Sequence, residues 1–252
     1  MSGHSKWSSI KHKKAATDAK RGKLFTKLAR AIQVSAREGG GDVETNASLS
    51  LAVQKAKDAS MPKDNIERAI AKGSGTDQDG AAFEAVQYEG YGPGGVALLV
   101  DGLTDNRNRT GSEVRHLFSR HGGSLGEPGS VAWIFEKKGE IAVDAERYGE
   151  EDLMPAIDAG AEDVSADAGG VLEIVTASEN LAAVRDALVE AGVELDSAEL
   201  VQRPTTRTPV EDSDAARLMR LIEGLEDHDD VQAVHANFEM DAELLERATG
   251  QP

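Results

Sequence analysis

Residues 139–203 read GEIAVDAERYGEEDLMPAIDAGAEDVSADAGGVLEIVTASENLAAVRDALVEAGVELDSAELVQR. Apolar residues alternate over Glu140–Val143, which predicts a half-buried strand, and a helix fits 149–159. Asp163–Ser165 and Val171–Thr176 read as two further strands. Glu179–Ala191 has helical spacing and Glu194–Val201 returns to a strand. The order β-α-β-β-α-β is that of a ferredoxin-like unit, which closes on itself without borrowed strands. Residues 139–203 are therefore expected to form a domain.

The flanks are less self-sufficient. Downstream, 203–209 (RPTTRTP) is expected to be a return linker, followed by a helix over Glu211–Leu225 and a strand over Val231–Phe238. That helix and strand have no partners of their own. Upstream, Phe83–Glu89 and Val96–Gly102 read as strands joined by the turn Gly90-Tyr-Gly-Pro-Gly-Gly95. Asp105–Arg120 reads as a helix with Asp105 as its N-cap, and Val131–Phe135 as another strand. The late pair is expected to fold back on the early one. This makes a discontinuous α/β middle domain from 76–138 plus 204–252.

The first 75 residues change character again. Residues 1–22 are polar and basic and predict an arm that is flexible when free. Residues 23–37 predict an amphipathic helix. At 100° per residue, Lys27, Arg30 and Arg37 fall within about 40° of Lys23, while Leu24, Phe25, Leu28, Ala29, Ile32 and Ala36 lie opposite. Gly39-Gly40-Gly41 ends that helix. Further helices fit 46–60 and 62–72, separated at Met61-Pro62. Short connections imply a small antiparallel bundle, and GSGTDQDG over 73–80 has linker composition. The expected fold class is thus α+β in three domains. An N-terminal helical bundle (1–75) is followed by two α/β domains, one of them ferredoxin-like.

Charge separates the same segments. The chain of 252 residues carries −17. Residues 1–37 nevertheless hold ten Lys and Arg against one acid, Asp18, an excess of +9 that leaves −26 for the remainder. A basic head on an acidic body is the pattern of a polyanion-binding arm. The head offers Lys6, Lys11, Lys13, Lys14, Lys20, Arg21, Lys23, Lys27 and Arg30 to phosphates, whose neutralisation gives salt-dependent, largely sequence-blind affinity. Trp7 reads equally as a base-stacking ring or as an anchor on the bundle. Arg107 and Arg109, at the start of the 105–120 helix, are candidates for a second contact. No helix shows the Arg, Asn and Gln pattern of base readout, which tilts the reading toward RNA.

Several chemistries are disfavoured. There is no cysteine, hence no disulfide, thiolate catalysis or cysteine-held zinc. Gly122-Gly-Ser124-Leu-Gly126 matches G-x-S-x-G, but that motif needs strand before helix and here the order is reversed. Gly90–Gly95 lacks the following helix of a dinucleotide fingerprint. No metal spacing is found among the six histidines, and Asp227-His-Asp-Asp230 lacks the alternation of a calcium loop. No cofactor, small-molecule substrate or catalytic residue is expected. No stretch reaches the roughly 20 apolar residues of a membrane helix, and the opening residues lack the apolar core of a signal peptide. A cytoplasmic protein is expected.

A resemblance sharpens this reading. Ser2-Gly-His-Ser-Lys-Trp-Ser-Ser-Ile-Lys-His-Lys-Lys, Met61-Pro-Lys-Asp-Asn-Ile-Glu-Arg-Ala-Ile and Tyr88-Glu-Gly-Tyr-Gly-Pro-Gly-Gly-Val resemble segments of the YebC/PmpR family. So do Asp105-Asn-Arg-Asn-Arg-Thr and Gly122-Gly-Ser-Leu-Gly through Phe135-Glu-Lys-Lys-Gly. The resemblance implies three domains and one of two roles. Some members are transcriptional regulators that bind promoter DNA. Others, including the mitochondrial translational activator of cytochrome c oxidase subunit I, act in translation, and bacterial relatives are linked to stalled ribosomes. The expectation is a non-enzymatic regulator whose partner is nucleic acid, either DNA or ribosomal RNA, with the ribosome as partner in the second case. The competing class is a protein-only interaction module.

Overall fold

A computed structural model describes residues 18–75, 83–166 and 170–250. It mixes helix and sheet. Three helices open it: α1 (Asp18–Gly39), α2 (Ala47–Asp58) and α3 (Lys63–Gly73). The apolar face of α1 buries Leu28, Ile32 and Ala36 among Leu49, Val53, Ala56, Ile66 and Ala69 of the other two. The expected arm through residue 22 is corrected at its end, because 18–22 is already helix. Thr26 donates its hydroxyl to the Gly22 carbonyl at 3.1 Å. The rest of that arm, 1–17, lies outside the described residues.

Two polar details set the bundle. Asn46 is buried and caps α2, its Oδ1 accepting the Leu49 N–H at 3.1 Å. Its Nδ2 donates to the carbonyls of Ser35 and Gly40, each at 2.8 Å. At Gly73 a Cβ would collide with the Gln33 carbonyl oxygen and the Ala36 methyl. The α1 and α3 backbones therefore meet directly there.

The middle of the chain begins with β1 (Glu84–Tyr91) and β2 (Ala97–Thr104), a hairpin in register from Glu84↔Thr104 to Tyr91↔Ala97. Its turn uses Gly94 and Gly95 at φ +73° and +74°, a region costly for other residues. Helix α4 (Arg107–Arg120) follows, then the short strand β3 (Ser124–Leu125) on the outer edge of β1. The N-cap of α4 is Asn106, which accepts the Arg109 N–H at 3.1 Å, rather than Asp105. Asp105 is taken by the Arg109 guanidinium at 3.0 Å. The strand expected over Val131–Phe135 is a 3₁₀ turn at Ala132–Ile134. The Val131 and Ala132 N–H groups donate to the Glu89 carboxylate and so cannot join a ladder.

The second sheet holds β4 (Phe135–Asp144), β5 (Ala161–Ala166), β6 (Val171–Ala177) and β7 (Ser197–Pro204) in the order β5-β6-β4-β7. Every pairing is antiparallel, the split β-α-β arrangement of a ferredoxin-like sheet. Helices α5 (Met154–Asp158) and α6 (Leu181–Glu190) cover one face, burying Ile141, Val143, Ile174, Leu181, Val184 and Leu188. The helix expected over 149–159 is divided. Glu150–Leu153 is 3₁₀ and α5 starts anew, with Pro155 in its first turn where no N–H is needed. The last strand begins at Ser197 rather than Glu194 and runs through Arg203 and Pro204, which the sequence reading gave to a linker.

The chain then returns. β8 (Thr208–Pro209) pairs in parallel with β10 (Phe238–Glu239), so part of the expected linker is strand. Helix α7 (Asp212–Glu226) and strand β9 (Val231–Ala236) come back to the first sheet, whose order is β3-β1-β2-β9. The expected single strand over 231–238 is interrupted at Asn237, whose Oδ1 accepts the Ala97 N–H at 2.8 Å. An unforeseen helix, α8 (Ala242–Thr249), is capped by Asp241 and adds Leu244 and Leu245 to the core under α4 and α7.

Candidate nucleic-acid interface

The basic face of α1 is placed by its helical period. With Leu28 and Ile32 turned into the bundle, Lys23, Lys27 and Arg30 must point the other way. They meet the C-terminal end of α7. Lys23 Nζ donates to the Asp227 carbonyl at 3.2 Å, and Lys27 Nζ to the Glu226 carbonyl at 2.6 Å. Arg30 Nη1 donates to the Asp229 carbonyl at 2.6 Å. The last carbonyls of a helix lack internal partners and carry the negative end of its dipole. Lys23 and Lys27 of α1 thus cap α7, and Arg30 holds the loop just beyond it.

Asp230 lies at the centre of this junction, with its side chain 3% exposed. Its Oδ1 receives Arg30 at 2.8 Å. Its Oδ2 receives Arg109 at 2.6 Å and the Thr110 hydroxyl at 2.7 Å. Burial pushes this carboxyl up. The bonds from Thr110 and Arg109, with the charges of Arg109 and Arg30, outweigh burial and hold it below the usual carboxylate range. The Arg30 guanidinium also lies over the Phe83 ring, 4.9 Å from its centroid.

Next to it, Glu113, His228 and Asp230 bring one ligand atom each within 4.8 Å of one another. Hydrogen bonds already use these atoms. His228 Nδ1 accepts the Asp230 N–H at 3.1 Å, and Nε2 bonds Glu113 at 2.9 Å.

The sequence-derived candidates therefore divide. Lys23, Lys27, Arg30 and Arg109 share one intramolecular junction. Arg107 is exposed and pairs with Glu84 at 3.5 Å. Arg21 is exposed on the first turns of α1, and Lys20 lies on the same helix. Lys6, Trp7, Lys11, Lys13 and Lys14 lie outside the described residues. Sequence reasoning missed Asp230 as a hub, although it weighed 227–230 as a calcium loop. The only available signal was an acid-rich stop after a long helix.

A second contact ties the bundle to the other sheet. Lys55 of α2 pairs with Glu199 of β7, and Leu51 packs beside the core of that sheet. Behind Glu199, Arg203 pairs with Glu173 and with Glu140, the latter at 3.6 Å. Burial first, then the charges of Glu173 and Glu199, push the Glu140 carboxyl up to about 7, against the opposing pull of Arg203.

Two sequence profiles match the chain. The one described as the TACO1/YebC protein N-terminal domain matches residues 5–76, and the one described as the TACO1/YebC second and third domain matches 83–238. The chain belongs to the TACO1/YebC family. A relative in Rubrobacter xylanophilus is 54% identical over 251 residues, covering 99% of this chain and all of that protein. One in Dictyoglomus thermophilum is 51% identical over 248 residues, covering 98% of this chain and 99% of that protein. Both carry the name "Probable transcriptional regulatory protein". The crystal structure of a conserved hypothetical protein from Aquifex aeolicus is 48% identical. It superposes with a TM-score of 0.83 and covers 90% of this chain and 94% of that one. Among the described residues of this family member, no helix is long and apolar enough to cross a membrane.

Proposed function

We propose that this chain is a non-enzymatic, cytoplasmic regulator of gene expression that grips nucleic acid with its basic N-terminal segment. The observation that carries the reading is the charge division, +9 in residues 1–37 against −26 in the rest. The junction at α7 refines it. Lys23, Lys27 and Arg30 serve inside the molecule, so the grip falls chiefly on Lys6, Lys11, Lys13, Lys14, Lys20 and Arg21. The acidic remainder repels phosphates and so orients the bound polyanion. Three of the four hydrophobic clusters among the described residues support a division into 1–75, 76–138 with 204–252, and 139–203, and the fourth (Ala97, Leu99, Val131, Ile134 and Phe135) falls within 76–138.

The names of the relatives favour promoter DNA as the target. The second reading is a factor that binds ribosomal RNA. It is favoured by an exposed aromatic side chain, Trp133, which a duplex has no means to engage by stacking.

The test is binding of the full chain to labelled duplex DNA and to ribosomal RNA fragments across a salt series. Lys11, Lys13 and Lys14 changed together to Glu should abolish binding while leaving thermal unfolding unchanged. The wild-type log affinity should fall linearly with log salt, at a slope of about 0.9 per phosphate contact on duplex. Retained binding in the triple variant would overturn the assignment to the head. Nuclease-insensitive capture of protein alone would favour an interaction module.

A further inference from the structure

The helix layer of the second sheet leaves apolar side chains in water. Of the five large apolar side chains exposed among the described residues, three stand on it: Met154 at 54%, Ile157 at 44% and Val189 at 57%. They lie on the outward side of helices whose inward side is complete. Leu153 and Ala156 at α5, and Leu181, Val184 and Leu188 of α6, are buried against the sheet.

The topology puts the three on one surface. Two helices on one face of a β-α-β-β-α-β unit run antiparallel. At one end Gly160, just past α5, abuts Asn180, the N-cap of α6. A Cβ on that glycine would stand 3.1 Å from the Asn180 amide nitrogen. At the other end the Tyr148 hydroxyl, ahead of α5, accepts the N–H of Glu194, beyond α6, at 3.1 Å. Met154 at the start of α5 and Val189 near the close of α6 therefore lie at the same end. Ile157 is the neighbour of Met154 one turn further on.

Their surroundings are acidic. Residues 139–203 hold seventeen acids against Arg147, Arg185 and Arg203, a net −14 that is more than half of the −26 outside the head. Each arginine already has a carboxylate, from Glu194, Asp186 and Glu173 in turn. Glu150, Glu151, Asp158 and Glu190 flank the three apolar residues in sequence. They are exposed and make no ion pair with another described residue. Apolar side chains left in water within a polar rim mark a contact surface, and the rim sets the charge of what it accepts.

We propose that this helix face docks a lysine- or arginine-rich amphipathic helix of a second protein. Its apolar side would lie against Met154, Ile157 and Val189, and its cations against Glu150, Glu151, Asp158 and Glu190. An amphipathic helix laid on an apolar surface is a recurrent mode of recognition. Charge disfavours the other occupants. Nucleic acid and an anionic membrane are repelled, a second copy brings −14 against −14, and an uncharged apolar ligand leaves the acids unused. The surface is separate from the basic head, so the proposal stands apart from the nucleic-acid reading.

The probe is a designed, fluorescein-labelled helical peptide of leucine and lysine, with the leucines on one face, read by anisotropy against the full chain. A second peptide keeps the lysines and carries serine for every leucine. Methyl-labelled Met, Ile and Val report the place of binding by NMR in the same titration. The leucine peptide should bind, with the methyls of Met154, Ile157 and Val189 shifting at the anisotropy midpoint. The serine peptide should bind about tenfold more weakly. Met154→Ser with Ile157→Ser and Val189→Ser should weaken the leucine peptide about tenfold. Glu150→Gln, Glu151→Gln and Glu190→Gln together should weaken it about fivefold and flatten its salt dependence. Every altered side chain is exposed, so the unfolding midpoint should stay where it is. Equal affinity for the serine peptide, methyls that do not move, or no binding of the leucine peptide would each overturn the proposal.

Discussion

Arg30 and Asp230, 200 residues apart in sequence, meet at 2.8 Å between Nη1 and Oδ1. The contact joins the first helix of the chain to the loop after α7. Arg109 and Thr110 of α4 close on the other oxygen of the same carboxylate. One buried acid thereby fixes how the basic helix sits on the first sheet.

Asp230→Ala should destabilise the protein by about 3 kcal/mol at pH 7, because it removes the buried carboxylate that Arg30, Arg109 and the Thr110 hydroxyl share. The carboxyl is held below its unfolded value. Its contribution is therefore complete above the unfolded pKa of about 3.9 and is lost as pH falls through the lower folded value. Urea unfolding should show a wide gap between wild type and variant at pH 7 that narrows progressively below pH 4. A gap independent of pH would contradict the role of the charge.

Glu140 should behave with the opposite sign. Its carboxyl titrates near 7 in the folded chain, above the unfolded value. The folded state holds a proton that the unfolded state has released, so stability falls as pH rises from about 4.5 and the penalty is complete above about 7. Glu140→Gln should be the more stable protein at pH 8, by roughly 3 kcal/mol at most, and indistinguishable at pH 4. Thermal unfolding at the two pH values measures this.

Lys27→Ala should cost about 1 kcal/mol of stability through loss of a charged donor to the α7 terminus. It should change the salt slope of nucleic-acid binding far less than Lys11→Ala does. Equal effects on that slope would show that Lys27 leaves α7 when ligand binds.

Gly73→Ala should destabilise the bundle by about 1–3 kcal/mol, since the added methyl meets the Gln33 carbonyl and the α1 backbone must shift. Helix propensity alone would predict a gain of up to about 1 kcal/mol. The sign of the change in unfolding midpoint decides between them.

Much of the fold was legible because its signals are local. The alternation through Ile141 and Val143, the opposed faces of Leu28 and Lys27, and the glycines of Gly90–Gly95 each specify their element within a few residues. The order of the second sheet followed from the order of its elements. The errors fall where a distant group takes over the backbone. Val131 and Ala132 have strand-like composition, yet their N–H groups belong to Glu89, about 40 residues away. The misassigned cap is a local case: Asn106, next to Asp105, accepts the Arg109 N–H, and the Arg109 side chain takes Asp105. The interface was legible as charge but not as geometry. Nothing near Lys23 or Arg30 announces that their acceptors lie some 200 residues away, just past the end of α7.

The central proposal is that the basic head of this chain holds nucleic acid in the cell. Cross-linking of the tagged chain in growing cells, with sequencing of both bound DNA and bound RNA, tests it most directly. Wild type should give discrete enrichment, at promoters or near one centre of ribosomal RNA, that disappears when Lys11, Lys13 and Lys14 are changed to Glu. Enrichment of neither nucleic acid, or the same enrichment in the variant, would contradict it.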